Sequence, residues 1–135
     1  MTSRKKIEAT LYSTANSTRA MAYAPYSHFT VGAAVLCENG EIYTGANIEN
    51  ASYPVGICAE RVALSKAISE GKRPVAIAVA GGKANEDAIL CPPCGICLQF
   101  MKEFMTSECP VILSREETKN LGELLPFGFD GDKLK

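Results

Sequence analysis

Four of the six cysteines in this 135-residue chain fall into two short groups, Cys58-Ala59-Glu60 and Cys91-Pro92-Pro93-Cys94-Gly95-Ile96-Cys97. Zinc takes sulfur and nitrogen donors in tetrahedral sets. Structural sites fill all four positions, whereas catalytic sites keep one open for water. Three of these cysteines on one ion would leave that opening. A Cys-x-x-Cys pair alone is also used by redox, structural zinc and iron–sulfur sites. Glu60 sharpens the reading: a carboxylate two residues from a thiolate is badly placed to add to the negative shell of a metal. It is well placed to move protons on an activated water.

Each cysteine group stands where a helix is predicted to begin. Unpaired N–H groups and the helix dipole favour thiolate there, so two helix starts could converge on one ion. The first predicted helix covers residues 4–22, with Ile7, Leu11, Ala15 and Met21 at roughly helical spacing before Pro25. Residues 29–36 and 41–47 read as antiparallel strands around Asn39-Gly40. Residues 58–70 carry Val62, Leu64, Ala67 and Ile68 at helical spacing and stop at Gly71. A short apolar strand over 75–80 is closed by Gly81-Gly82, and a loop runs to Pro93. A helix over 95–106 places Phe100, Met101, Phe104 and Met105 on one side, and 110–113 reads as a further strand. This order implies an α/β layer with helices covering a mixed sheet. The apolar tail Pro126-Phe127-Gly128-Phe129 must pack on its own core or on a neighbouring subunit.

Composition excludes other classes. With 47% apolar and 21% charged residues the chain has a globular balance, and its length suits one domain over residues 1–135. The formal net charge is -1 and basic residues are scattered beyond Arg4-Lys5-Lys6, which gives no electrostatic footprint for nucleic acid. The longest strongly apolar stretch, 75–82, is far short of the roughly 18 residues needed to span a bilayer, so no membrane partner is expected. Glu8, Thr10, Ser13, Asn16 and Ser17 interrupt any signal-peptide core, and a cytoplasmic protein is expected. Cysteine at about 4% is well under the roughly 8–10% of disulfide scaffolds, so metal or redox roles are favoured.

The pairing of Cys58-Ala59-Glu60 with Pro93-Cys94-Gly95-Ile96-Cys97 is a zinc-deaminase signature in its three-cysteine form. Further blocks are Tyr26-Ser27-His28-Phe29 with Val31-Gly32-Ala33-Ala34, the run from Asn47-Ile48-Glu49-Asn50 to Ala51-Ser52-Tyr53, Arg61, Gln99, and Leu124-Leu125-Pro126 with Phe129. On these blocks the chain resembles the small homotetrameric zinc-dependent cytidine deaminases over nearly its whole length. The resemblance implies a three-layer α-β-α fold with a mixed sheet of about five strands and one Zn2+ per chain. It implies hydrolytic deamination of cytidine and 2'-deoxycytidine in pyrimidine salvage, with a zinc-bound water as nucleophile. Cys58, Cys94 and Cys97 match the metal ligands and Glu60 the proton shuttle. Asn47 and Glu49 match groups that hold the ribose hydroxyls, Phe29 an aromatic that packs on the nucleoside, and Ala59 a backbone contact to the base. Tyr53 and Phe129 match residues that reach sites of neighbouring subunits in a tetramer, and Arg61 is placed to draw charge off the sulfurs.

Two residues depart from the family pattern. Leu98 stands where many members have Arg, which leaves charge compensation to Arg61. Cys91, three residues before Cys94, would close the site as a fourth ligand, but Pro92-Pro93 stiffens its approach and Glu60 would then lack a purpose. Cys37 and Cys109 read as buried small residues, and His28, the single histidine, as a loop residue. Without the resemblance, Phe29 would read as a core residue of the first strand. Asn47 and Glu49 would equally be a solvated strand end, and Arg61 an exposed helix position. The competing functions are a deaminase of a modified nucleoside such as blasticidin S, a non-catalytic protein holding a metal on four cysteines, and, disfavoured by charge, a nucleic-acid editor.

Overall fold

The computed structural model describes residues 2–135. A first helix, α1 (Thr2–Thr18), has no Pro or Gly to break it and tightens into a 3-10 turn at Arg19–Met21. Strands β1 (Phe29–Cys37) and β2 (Ile42–Ala46) form an antiparallel hairpin in which Gly32 faces Ala46 and Leu36 faces Ile42. Its turn places Gly40 at φ 93, the left-handed region that glycine enters without steric cost. Helix α2 (Ala59–Ser69) follows and leads to β3 (Pro74–Lys83). Helix α3 (Gly95–Phe104) then crosses over to β4 (Pro110–Ile112), and β5 (Thr118–Asn120) and α4 (Leu121–Leu124) complete the chain before a terminal 3-10 turn. The sheet order is β2-β1-β3-β4-β5; only the β3–β4 pair, joined through α3, is parallel.

Side chains alternate across the strands, and the two faces differ in bulk. Toward α2, α3 and α4 point Ala33, Val35, Ile77, Val79 and Val111, packed with Leu64, Cys97, Met101 and Leu121. Toward α1 point Ala34, Ala76, Ala78 and Ala80, with Ile112, against Leu11, Tyr12 and Ala15. This is the expected three-layer α-β-α arrangement with a mixed five-stranded sheet.

Several local expectations need correction. β3 does not stop before Gly81-Gly82: it runs to Lys83, because β1 pairs with it as far as Phe29 opposite Lys83. β5 and α4 were outside the predicted elements, being three and four residues long. Ile7 of α1 and Met21 of the 3-10 turn after it are exposed, and the buried stripe of α1 is Leu11, Tyr12 and Ala15. In α3, Met101 and its neighbour Met105 are buried, while Phe100 and Phe104 stack on each other with centroids 5.5 Å apart nearer the surface.

Candidate functional site

Most helices begin with a side chain that accepts a hydrogen bond from the exposed N–H groups of the first turn. α4 does so through Asn120 and Glu123, whose side chains and backbone bond reciprocally. α2 and α3 do not. Their N-cap residues are Cys58 and Cys94, both with extended backbone and no side-chain cap bond. The first-turn N–H groups therefore remain as a positive field over sulfur, the condition that stabilises thiolate. Cys97 lies one turn into α3 and is fully buried. The sulfurs of Cys58, Cys94 and Cys97 lie within 4.8 Å of one another, which makes them the one cluster of potential ligands among the described residues. Soft donors converging from two helix starts fit zinc, whose bonds to sulfur are roughly 2.3 Å.

Arg61, one turn after Cys58, points a guanidinium nitrogen at the Cys58 sulfur, 3.9 Å away. Its Nε is buried and makes no hydrogen bond, so part of the guanidinium has no partner other than the sulfur charge nearby. Burial works against the charged form of Arg61, but the contacts with Cys97 and Cys58 outweigh it and its pKa rises. Cys58 is brought down to about 5, chiefly by a hydrogen bond from Cys97 with help from Arg61. Cys97 is pushed up by the same pairing and by burial, since the two thiols share one charge. Leu98 is buried in the core and brings no charge to the sulfurs.

Glu60 is only 4% exposed, an unusual position for a carboxylate. Burial lifts its pKa to about 7, with the negative charge of Cys58 adding to the rise. A cation on the sulfurs would oppose that rise by favouring the carboxylate.

Cys58, Glu60, Arg61 and Cys94 line a cavity of about 570 Å³. Apolar walls come from Val31, Ile48 and Ile57, and its mouth carries Tyr26 and Tyr53 with ring centroids 6.1 Å apart. Of the sequence-predicted substrate contacts, Asn47, Glu49, Tyr53 and Ala59 also line it. Asn47 is already engaged: its Oδ1 accepts from Val31 N–H at 2.9 Å and its Nδ2 donates to the Phe29 carbonyl at 3.0 Å. It therefore also bridges the end of β1. Glu49 accepts from Tyr26 N–H, Ser27 N–H and the Ser27 hydroxyl, and the Ser27 hydroxyl above all holds its pKa below the usual range.

Phe29 and Phe129 do not line this cavity. The Phe29 ring packs over Gly81, where an added Cβ would come within 3.2 Å of it. Phe129 is 56% exposed on the outer side of α3, where Gln99 clamps its backbone: Gln99 Nε2 donates to the Phe129 carbonyl at 2.8 Å and Phe129 N–H donates to Gln99 Oε1 at 3.2 Å. Cys91 lines the cavity but falls outside the three-sulfur cluster, and its thiol pKa is raised by burial. Cys37 is buried, Cys109 half-buried, and His28 exposed in a turn. Sequence reasoning assigned no role to Ser27; its signal was a serine two residues before a strand, able to bond the backbone ahead of it.

The family model described as the cytidine and deoxycytidylate deaminase zinc-binding region matches residues 5–113. Among curated proteins, a cytidine deaminase of Halalkalibacterium halodurans is 45% identical over 118 residues, covering 84% of this chain and 86% of the relative. One from Sporosarcina psychrophila is 43% identical over 122 residues, covering 86% of each. Among solved structures, the cytidine deaminase of Burkholderia pseudomallei superposes with a TM-score of 0.80 at 39% identity, over 90% of this chain and 98% of that one.

Proposed function

Because the chain belongs to the cytidine and deoxycytidylate deaminase family, we propose that it hydrolyses the exocyclic amine of cytidine and 2'-deoxycytidine, giving the uridine forms and ammonia. The observation that carries this reading is the buried Glu60 beside the Cys58, Cys94 and Cys97 sulfurs, on the wall of a cavity large enough for a nucleoside. Cys58, Cys94 and Cys97 would hold a zinc ion, which would supply the Lewis acidity that lets a water lose its proton near neutral pH. Glu60 does the proton work: it takes a proton from the attacking water, and it delivers one to the departing amine. Its burial on the cavity wall, two residues from Cys58, places it to accept a proton and to return one. Arg61 draws negative charge off the sulfurs, and the Ala59 backbone meets the base edge.

Glu49 and Asn47 are read as the ribose contacts, and Phe29 as the aromatic that backs the bound nucleoside. The charged groups lining the cavity, among the described residues, are Glu49, Glu60 and Arg61, with no lysine. That balance favours a neutral nucleoside over a 5'-phosphate, which two carboxylates would repel. We read the chain as a single domain that assembles into a tetramer. In it the exposed Tyr53 and Phe129 reach toward neighbouring sites, and the enzyme serves pyrimidine salvage in the cytoplasm. Cys91 lies outside the sulfur cluster, which counts against a closed site of four cysteines.

The test is ammonia release from cytidine, 2'-deoxycytidine, cytosine and cytidine 5'-phosphate by protein of known zinc content. Turnover is expected for the two nucleosides. Glu60→Gln is expected to keep zinc and fold while losing roughly 10²- to 10⁴-fold in kcat. Preferred turnover of the phosphate, or a Glu60→Gln variant within tenfold of the parent, overturns the assignment.

A further inference from the structure

Glu49 is held by a turn built for it. The chain leaves the 3-10 turn after α1 and reverses at Tyr26-Ser27-His28 before entering β1. Two backbone donors of that reversal, Tyr26 N–H at 3.0 Å and Ser27 N–H at 3.2 Å, both reach Glu49 Oε1. The Ser27 hydroxyl donates to the other oxygen, Oε2. The same hydroxyl accepts from Phe29 N–H at 3.0 Å. His28 adopts φ 57, a left-handed conformation uncommon outside glycine and tolerated better by His, Asn and Asp than by most residues. That conformation is fixed from both sides: His28 N–H donates to the Ala24 carbonyl at 3.0 Å, and the His28 carbonyl accepts from Ala84 N–H at 2.8 Å, just past β3.

A carboxylate offers about four lone-pair sites. Three are taken here, two on Oε1 and one on Oε2, so the free acceptor site is on Oε2. Ser27 and Glu49 line the cavity together. We propose that Ser27 is a positioning residue for Glu49: its hydroxyl locks the carboxylate so that the free acceptor on Oε2 is presented to a sugar hydroxyl of the substrate without rearrangement. This rests on the reading that Glu49 binds the sugar.

Serine suits the task because a hydroxyl donates and accepts at once. Alanine does neither, threonine does both, and a thiol does both weakly. With the hydroxyl lost, Oε1 keeps its two backbone donors but Oε2 is unpinned and Phe29 N–H loses its acceptor. The cost falls on sugar binding, since binding must now order a mobile group. The chemical step depends on Glu60 and the sulfurs and is spared. The signature is a rise in KM with little change in kcat.

The experiment compares Ser27→Ala, Ser27→Thr, Glu49→Gln and the Ser27→Ala/Glu49→Gln double variant with cytidine, together with inhibition by 1-methylcytosine, which lacks the sugar. Ser27→Ala is expected to raise KM for cytidine about tenfold with kcat within twofold, and to leave 1-methylcytosine binding unchanged. Ser27→Thr is expected to restore KM, and the double variant to be no worse than Glu49→Gln. If Ser27→Ala does not fold, Ser27→Cys replaces it, with a smaller expected rise in KM. A large KM effect of Glu49→Gln with none from Ser27→Ala overturns the positioning role and leaves the sugar contact standing. No KM effect of Glu49→Gln overturns the sugar contact itself. A fall in kcat at unchanged KM in Ser27→Ala also refutes the proposal.

Discussion

The path of β2 beneath α2 leaves no room for a side chain at Gly45, and a single methyl group tests whether that closeness holds the site in place. A Cβ at Gly45 would lie 2.5 Å from the Ala63 nitrogen, 2.7 Å from the Ala59 carbonyl oxygen and 2.9 Å from Val62 Cβ. Ordinary contact begins at 3.4 Å. Two of the three obstacles are helix backbone, so no rotamer change relieves them. In Gly45→Ala, α2 must recede by roughly 0.9 Å or tilt by an equivalent amount. α2 carries Cys58 at its start and Glu60 in its first turn, so the displacement passes directly to the proposed metal ligand and the proposed proton shuttle. A misplacement of about 1 Å can cost about 100-fold in rate. Overpacking of this kind costs roughly 1–3 kcal/mol of stability, which for a chain of this length lowers Tm by roughly 4–11 °C. The assay measures kcat with cytidine, zinc per chain with a metallochromic dye, and Tm. The matched control is Gly131→Ala, where a Cβ meets nothing within 4 Å. The expected result is a kcat down about 100-fold in Gly45→Ala and unchanged values in the control. A Gly45→Ala protein with kcat within threefold of the parent and its zinc retained would refute the argument that this close approach positions the chemistry.

Cys91→Ala is expected to keep one zinc per chain and near-parental kcat, because Cys91 stands outside the sulfur cluster; loss of the metal would make it a ligand. Phe129→Ala is expected to raise KM if the tail serves a neighbouring subunit. Mixing it with Glu60→Gln chains should then recover activity in hybrid tetramers, since some sites receive an intact Glu60 and an intact tail. Mixtures that recover nothing would confine Phe129 to its own chain.

The chemistry was more legible than the architecture that supports it. Cys58 and Cys94 could be placed at helix starts because Gly71 and the apolar spacing fixed the helices behind them, and both prove to be N-caps. The end of β3 was hidden because Gly81-Gly82 has the composition of a stop. Only the partner strand decides otherwise, with Val31 paired to Gly81 and Thr30 to Gly82. The glycines are needed there because a Cβ at Gly81 would meet the Cys91 sulfur at 2.7 Å and one at Gly82 the Asp87 carbonyl at the same distance. β5 and α4 are too short for periodicity to register. Ser27 was visible as a residue and invisible as a function, because its role depends on Glu49 arriving from 22 positions away. Asn47 shows the same limit, since its amide spans Val31 and Phe29 of the adjacent strand.

The unequal bulk of the two sheet faces separates evolvability from chemistry. The alanine-lined side under α1 sets how closely that helix can settle, and α1 supplies no residue to the cavity that Cys58, Glu60 and Cys94 line. Substitutions that tighten or loosen the α1 layer therefore adjust global stability through a part of the molecule the site does not touch. The α2 and α3 side has no such freedom, because its packing residues share their helices with the sulfurs and Glu60. Drift under selection for temperature should accumulate in the first layer, and change of substrate in the rim of the second. The sheet acts as a partition between two kinds of variation.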